Sequence, residues 1–257
     1  MVPSLDAALL SRIEDASLNA SAPPQQRWLD GWIVRSSPGK ARRARCINAV
    51  AVGRLPLAQK LVLAADVFKQ AGLPMVVRIT PFTLPPDLDT RLQSLGWVKL
   101  DQTHVMVSTR MPRSAPPLPA GTRWERLDAA GYAETVGLLR GSAPQQRQAH
   151  AERLAFSPVP YQGYALRRES DGQVLACGQF AREAELVGLY DVYTRESERG
   201  KGLASLLCER LLSLAASEGA EVAYLQTEAD NHAARRVYPR LGFADQYSYH
   251  YRQPPAA

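Results

Sequence analysis

The sequence predicts an α/β protein of two related modules in tandem, each with strands and helices in alternation. Three observations carry this. Apolar residues switch repeatedly between the two-residue period of strands and the 3.6-residue period of helices. The stretch PRSAPPLPAG, Pro112 to Gly121, packs four prolines and a glycine between two patterned regions, as an exposed connector does. The two regions also share an order of elements. The expected units are residues 1–113 and 120–257.

Taken in order, MVPSLDAALLSRIEDASL reads as a first helix: it carries acidic residues and lacks the long apolar core of a signal peptide. In RSSPGKARRARC, Pro38 and Gly39 predict a turn, and Arg35, Lys40, Arg42, Arg43 and Arg45 are expected as the charged flanks of a solvated hairpin. PLAQKLVLAADVFKQAG is helical. From Leu73 to Val107 follow a strand, a polar break, a short helix ending Leu-Gly-Trp, and another strand.

Beyond the connector the pattern gives a strand at Arg123 to Leu127, helix to about Phe156, and strands at Gly163 to Arg168 and Val174 to Arg182. ELVGLYDVYT, Glu185 to Thr194, is apolar on both faces and belongs in mid-sheet. Leu203, Leu206, Leu207, Leu211 and Leu214 then recur at helical spacing up to Gly219. VAYLQT is a strand, NHAARRVYPRLG a short helix whose last turn Pro239 disturbs, and QYSYHYR a final alternating strand. This last series, Ala220 to Arg252, parallels Leu73 to Val107.

At 257 residues the chain can bury a substantial core, and no apolar run approaches the roughly 18 residues of a membrane span. Cys46, Cys177 and Cys208 are scattered and odd in number, which argues for buried thiols in a reducing cytoplasm rather than disulfides or a zinc site. The net charge of +6 suits a polyanionic partner, but the chain lacks a basic-aromatic RNA signature.

The chemistry concentrates in SERGKGLASLL, Ser197 to Leu207, where two glycines and two basic residues precede an apolar helix. A phosphate is best held by converging N–H groups, and a turn feeding a helix N-terminus supplies free donors and the positive end of the helix dipole. The stretch is neither a Walker A loop nor a complete dinucleotide fingerprint. Arg199, Gly202 and Ala204 form R-x-x-G-x-A after a strand, which closely resembles the acyl-CoA pyrophosphate loop of the GNAT superfamily of N-acyltransferases. Downstream, Asn231, Ala234, Tyr238 and Leu241-Gly242-Phe243 fall in the spacing of that family's second signature. The resemblance covers residues 120 to 252 well and the first half in outline.

The resemblance implies tandem GNAT-like modules with a mixed, mostly antiparallel sheet flanked by helices, and acetyl-CoA as co-substrate with no metal. It places the acyl and pantetheine groups against Val192, Tyr193 and Thr194, and the pyrophosphate against Gly200, Lys201, Gly202, Leu203, Ala204 and Ser205, with Arg199 and Lys201 adding positive charge. Asn231 would touch the arm further along, and Tyr238 takes the acid position. Attack of an amine on a thioester also needs a proton acceptor. Where some relatives carry glutamate stands Gln226, which is no base, so Glu228 and Asp191 are the candidates. The first half lacks this machinery: AVAVGRLPLAQ has no such loop, and Pro85 and Leu92 stand where Asn231 and Tyr238 do, so no cofactor is expected there.

The implied activity is acetyl transfer to a primary amine, small-molecule or peptide, in the cytoplasm. Neither nucleic acid nor membrane is expected as a partner, and a homodimer is left open. The rival reading is a catalytically silent acyl-CoA-binding regulator.

Overall fold

In the computed structural model, residues 5–255 are described. The first half runs α1 (Ala7–Ala20), β1 (Gln26–Leu29), β2 (Trp32–Arg35), β3 (Ile47–Ala49), α2 (Leu57–Gln70), β4 (Val77–Ile79), α3 (Leu88–Ser94) and β5 (Val98–Ser108). After the connector come β6 (Thr122–Leu127), α4 (Ala129–Leu139), α5 (Pro144–Ala155), β7 (Tyr161–Arg168), β8 (Val174–Glu183), β9 (Leu186–Thr194), α6 (Leu203–Ser217), β10 (Val222–Glu228), α7 (His232–Val237) and β11 (Ala244–Gln253). The last turn of α7 tightens into a 3-10 turn at Tyr238–Leu241, because Pro239 has no N–H to continue the α-helical ladder.

All the strands belong to one mixed, mostly antiparallel sheet, ordered β1-β2-β3-β4-β11-β5-β10-β9-β8-β7-β6. The centre of that order does not follow the chain. β5, from before the connector, lies between β10 and β11, pairing Ala223 to Glu228 on one edge and Ala244 to Gln253 on the other. In return β11 carries the sheet on to β4 through His250, Tyr251 and Arg252. Each half thus lends its final strand to the other, and the connector in sequence is not a division in the sheet.

The faces follow from the period-2 pattern. In β10, Ala223 and Leu225 pack with Leu207 and Leu211 of α6, while Tyr224 joins a second cluster with Ile13, Ala16 and Ala20 of α1. The first half has its own core of Trp32, Phe68, Leu88, Leu92 and Trp97. Helix α1 ties the halves together: buried Glu14 is ion-paired with buried Arg78 of β4 and accepts a 2.7 Å hydrogen bond from the Tyr247 hydroxyl on β11.

The arginine-rich stretch is not a solvated hairpin. Although β2 and β3 pair, Arg35 is 2% exposed and donates to the Leu18 carbonyl and the Ser21 hydroxyl, and Arg43 turns inward against β9 and β10. The turn residues were legible; the long, folded-back loop between them was not.

The exchange has a measurable consequence. Residues 114–257 expressed alone lack β5 and leave two strand edges open, so they should show no cooperative thermal transition. Co-expression with residues 1–113 as a separate chain should restore one transition and a single stoichiometric peak in size-exclusion chromatography.

Candidate active site

The site begins where β9 and β10 part. They pair in parallel from Leu186–Val222 to Leu189–Leu225 and no further, after which β10 continues against β5 alone. Beyond the last rung, β9 bulges: Asp191 sits at φ 52, and the register with β8 shifts between Cys177 and Gln179. The Tyr132 hydroxyl donates to the Asp191 carbonyl at 2.9 Å and pins the bulge from α4. The edge of Val192, Tyr193 and Thr194 that faces β10 is left without a strand, which is the slot that the sequence reading assigns to a pantetheine arm. Thr194 Oγ1 is buried without a hydrogen-bond partner.

Past this edge a 3-10 turn (Glu196–Glu198) leads into the glycine loop. Gly200 and Gly202 take φ values of 80 and 77, the left-handed region that glycine enters without strain. Among the described residues, none of the backbone N–H groups from Gly200 to Ser205 has an acceptor within the protein; the first such bond is Leu206 N–H to the Gly202 carbonyl. Gly202 N-caps α6 with no side chain to satisfy the helix end. Free donors and a helix dipole therefore meet at one exposed point, as anion binding requires.

The charged side chains here are more committed than the sequence suggests. Lys201 donates to Glu198 at 2.8 Å, and Glu198 also holds Arg168 at 2.9 Å. Arg199 donates to the Tyr193 hydroxyl at 3.1 Å. The backbone thus presents the larger share of uncommitted positive potential. Asn231 gives its side-chain oxygen to the Ala234 N–H at 3.1 Å as the N-cap of α7, leaving its amide NH2 for other contacts.

Tyr238 packs edge-on to Phe243, 5.9 Å between ring centres, against the cluster under α6. Its hydroxyl has no hydrogen-bond partner among the described residues. Burial pushes this phenol above its usual range, and Cys208 beside it acts in the same direction, so it stays protonated at neutral pH.

The two carboxylate candidates differ sharply. Asp191 accepts from Arg140 at 2.8 Å and Gln179 at 2.8 Å, with His150 at 3.3 Å and Arg153 at 3.8 Å. Burial alone would raise its pKa, but Arg140, His150 and Arg153 together hold it well below the usual carboxylate range. Held by these partners, the Asp191 carboxylate braces the bulge, an arrangement that favours its anion over the protonated form a base must pass through. Glu228 is exposed, has no ion-pair partner among the described residues, and lines the same cleft as Gln226, Asp191 and Tyr193.

That cleft, about 650 Å³, is closed on one side by the first half: Lys40, Arg42, Arg43 and Arg45 reach it from the β2–β3 loop. Sequence reasoning placed none of these in a site. The one available signal was the density of arginines, which by itself does not distinguish a surface from a rim. No group of three or more metal-ligating side chains occurs among the described residues, and no helix among them is long and apolar enough to cross a membrane.

The first half shows what the matching loop looks like when it is closed. There the Asp30 carboxylate accepts from the N–H groups of Arg54 and Leu55, both at 2.8 Å, just before α2. A Cβ on Gly53 would lie 1.9 Å from that carboxylate. A built-in anion thus uses the donors that the second half leaves open.

Asp191 carries a pH signature. Its folded-state pKa is depressed, so its contribution is complete above the unfolded value of about 3.9 and is lost as pH falls through the folded value. Asp191→Asn strands Arg140 and Arg153 and should cost about 3 kcal/mol at pH 7. In urea titrations the gap to wild type should shrink as pH drops below about 4.

The acetyltransferase (GNAT) family model matches residues 132–243. The chain is similar to the uncharacterized N-acetyltransferase YobR of Bacillus subtilis (strain 168), 25% identical over 231 residues, 88% of this chain and 91% of that protein. It is 33% identical over 95 residues to the L-methionine sulfoximine/L-methionine sulfone acetyltransferase of Pseudomonas aeruginosa, covering 34% of this chain and 55% of that one. Among solved structures, a GCN5-related N-acetyltransferase from Kribbella flavida matches with TM-score 0.66, 18% identity and 96% coverage of both chains. A tandem GNAT protein from the clavulanic acid biosynthesis pathway matches with TM-score 0.64 and 15% identity over 82% of this chain and 75% of that one. With the parted strands and open helix end within the matched residues, residues 132–243 form a domain of the acetyltransferase (GNAT) family.

Proposed function

We propose that the protein is an acetyl-CoA-dependent N-acetyltransferase whose donor site lies in the second half, and whose acceptor, a small-molecule or peptide amine, enters between the halves. The observation that carries this is the run of uncommitted N–H groups from Gly200 to Ser205 beside the unpaired edge of β9. Hydrogen bonds to a charged acceptor contribute about 1.5 to 3 kcal/mol each, against about 0.3 to 1 kcal/mol for the helix dipole. The loop therefore binds a diphosphate mainly through aimed backbone donors, with Arg199 adding a weaker, screened attraction.

Acetyl-CoA supplies the acyl group as a thioester. The amine nitrogen forms the new C–N bond, the C–S bond breaks, and the electron pair leaves on sulfur, which takes up a proton. Tyr238 suits that last role: its hydroxyl has no other partner and burial keeps it a phenol. The proton lost by the amine passes to Glu228, directly or through water, since Asp191 is locked in its ion cluster. The first half closes the acceptor side, and its own loop, filled by Asp30, takes no cofactor.

Thiol release from acetyl-CoA with a panel of amines tests the reading. Tyr238→Phe should lower kcat about 10- to 100-fold with little change in the KM for acetyl-CoA, the worth of one hydrogen bond to a developing anion. Gly202→Ala introduces about 1 to 2 kcal/mol of left-handed backbone strain in the loop. It should raise the Kd for CoA about 5- to 30-fold in calorimetry without loss of thermal stability beyond a few degrees. Tight CoA binding with no turnover across the panel would instead identify a silent acyl-CoA-binding regulator.

A further inference from the structure

Resting on the acetyl-transfer reading, we propose that the acceptor is an amino acid-like amine bearing a carboxylate, and that Arg43 is the residue that binds that carboxylate and sets the specificity. Arg43 comes from the β2–β3 loop of the first half but sits over the point where β9 and β10 part. Its guanidinium lies 5.7 Å from the ring centre of Tyr190, and its Nη1 donates to the side-chain oxygen of Gln226. Tyr190 and Gln226 are the first residues beyond the last paired rung, Leu189–Leu225. This is the apex of the gap, beside the proposed acyl position.

What makes the arginine a binding residue is its uncompensated charge. It has no carboxylate within ion-pair distance among the described residues; its surroundings are the tyrosines Tyr161, Tyr190, Tyr249 and Tyr251. Of the other cations that line the cleft, Arg42 is neutralised by Asp101 at 2.6 Å and Arg140 by Asp191 at 2.8 Å, whereas Lys40 and Arg45 have no ion-pair partner among the described residues but are not held at the strand apex as Arg43 is. Arg43 instead faces an amide. Gln226 is fixed in place, accepting from the Tyr249 hydroxyl at 2.8 Å through the same oxygen and donating its NH2 to Ser17 of α1. A carboxylate at position 226 would satisfy the guanidinium internally; a glutamine orients it and leaves the charge for a ligand.

The free edge has the right shape. With Nη1 engaged on Gln226, Nε and Nη2 have no acceptor in the protein, and neither is sealed from the cleft. An Nε–Nη2 edge presents two parallel N–H donors, the arrangement that a carboxylate accepts in bidentate fashion. Along the same face of β10, about 6 to 7 Å from Gln226, stands Glu228. Arginine at one end and an unpaired carboxylate at the other match the two charges of a zwitterion. The amine arrives at the carboxylate that receives its proton.

The test compares amino acids with their decarboxylated amines: L-leucine with 3-methylbutylamine, L-phenylalanine with 2-phenylethylamine, and so through the common side chains, including the aminophosphonate analogue of leucine. Wild type should favour the carboxylate-bearing member of its best pair by about 30-fold or more in kcat/KM, the worth of a charged bidentate contact. Arg43→Gln should bring the kcat/KM ratio within each pair to about one while leaving the KM for acetyl-CoA within about threefold. Gln226→Glu, which keeps the arginine but neutralises it in place, should erase the preference as well, read as the ratio within each pair. Equal loss on both members of a pair, or a preference for the plain amine or the phosphonate, overturns the proposal. Calorimetry of the same compounds into CoA-saturated protein separates the two readings. Arg43-dependent binding of an amino acid without acetyl transfer would sink the catalytic reading and leave this one standing. Absence of any amino acid binding while plain amines are acetylated would do the reverse.

Discussion

The parting of β9 from β10 beyond Leu189 and Leu225 is the constraint on which the rest of the site depends. Two adjacent strands in a sheet normally satisfy each other's backbone groups to their ends, so a gap must be held open from both sides. On one side β10 is kept in register with β5 through Thr227 and Glu228. On the other, the bulge at Asp191 turns β9 away, and that bulge is held by the Tyr132 hydroxyl, Arg140, Gln179 and the two basic groups of α5. The cluster around Asp191 is therefore architectural. It supplies the rigidity that lets an unpaired edge persist.

The two halves show one fold put to different uses by small local chemistry. Both have a loop that leads into a helix behind a central strand. In the first, Asp30 lies across the loop and takes the N–H groups of Arg54 and Leu55, so the anion is part of the chain. In the second, Gly200 and Gly202 carry the backbone through left-handed turns that leave the donors facing out. An anion supplied from within thus occupies the donors of the first loop, whereas those of the second have no acceptor in the protein among the described residues.

Strand exchange then couples the halves. Because β5 and β11 each complete the other half's sheet, the β2–β3 loop of the first half is fixed relative to β9 and β10 of the second. Arg43 can be placed over the strand apex only because of this. The first half thereby forms one wall of the cleft.

Much of this was legible in the amino-acid order. Local period and punctuation sufficed for the strands from Thr122 to Thr194, for helix α6 with its leucine stripe, and for a disturbed last turn at Pro239 (though not for its 3-10 form), because each depends on near neighbours in the chain. The loop at Gly200 to Ser205 was also readable, since glycine at left-handed positions ahead of a helix is itself a local signature. The strand exchange was not, because it is a choice between pairings of similar local quality that only long-range packing decides. Nor was the commitment of Asp191 to Arg140 and Arg153, residues 51 positions or fewer away in sequence but on separate helical segments. The sequence by itself determined which elements form and where a glycine loop opens onto a helix end. Which charges are neutralised and which are left for a ligand was decided only by the tertiary structure, because electrostatic compensation depends on distance in space and not along the chain.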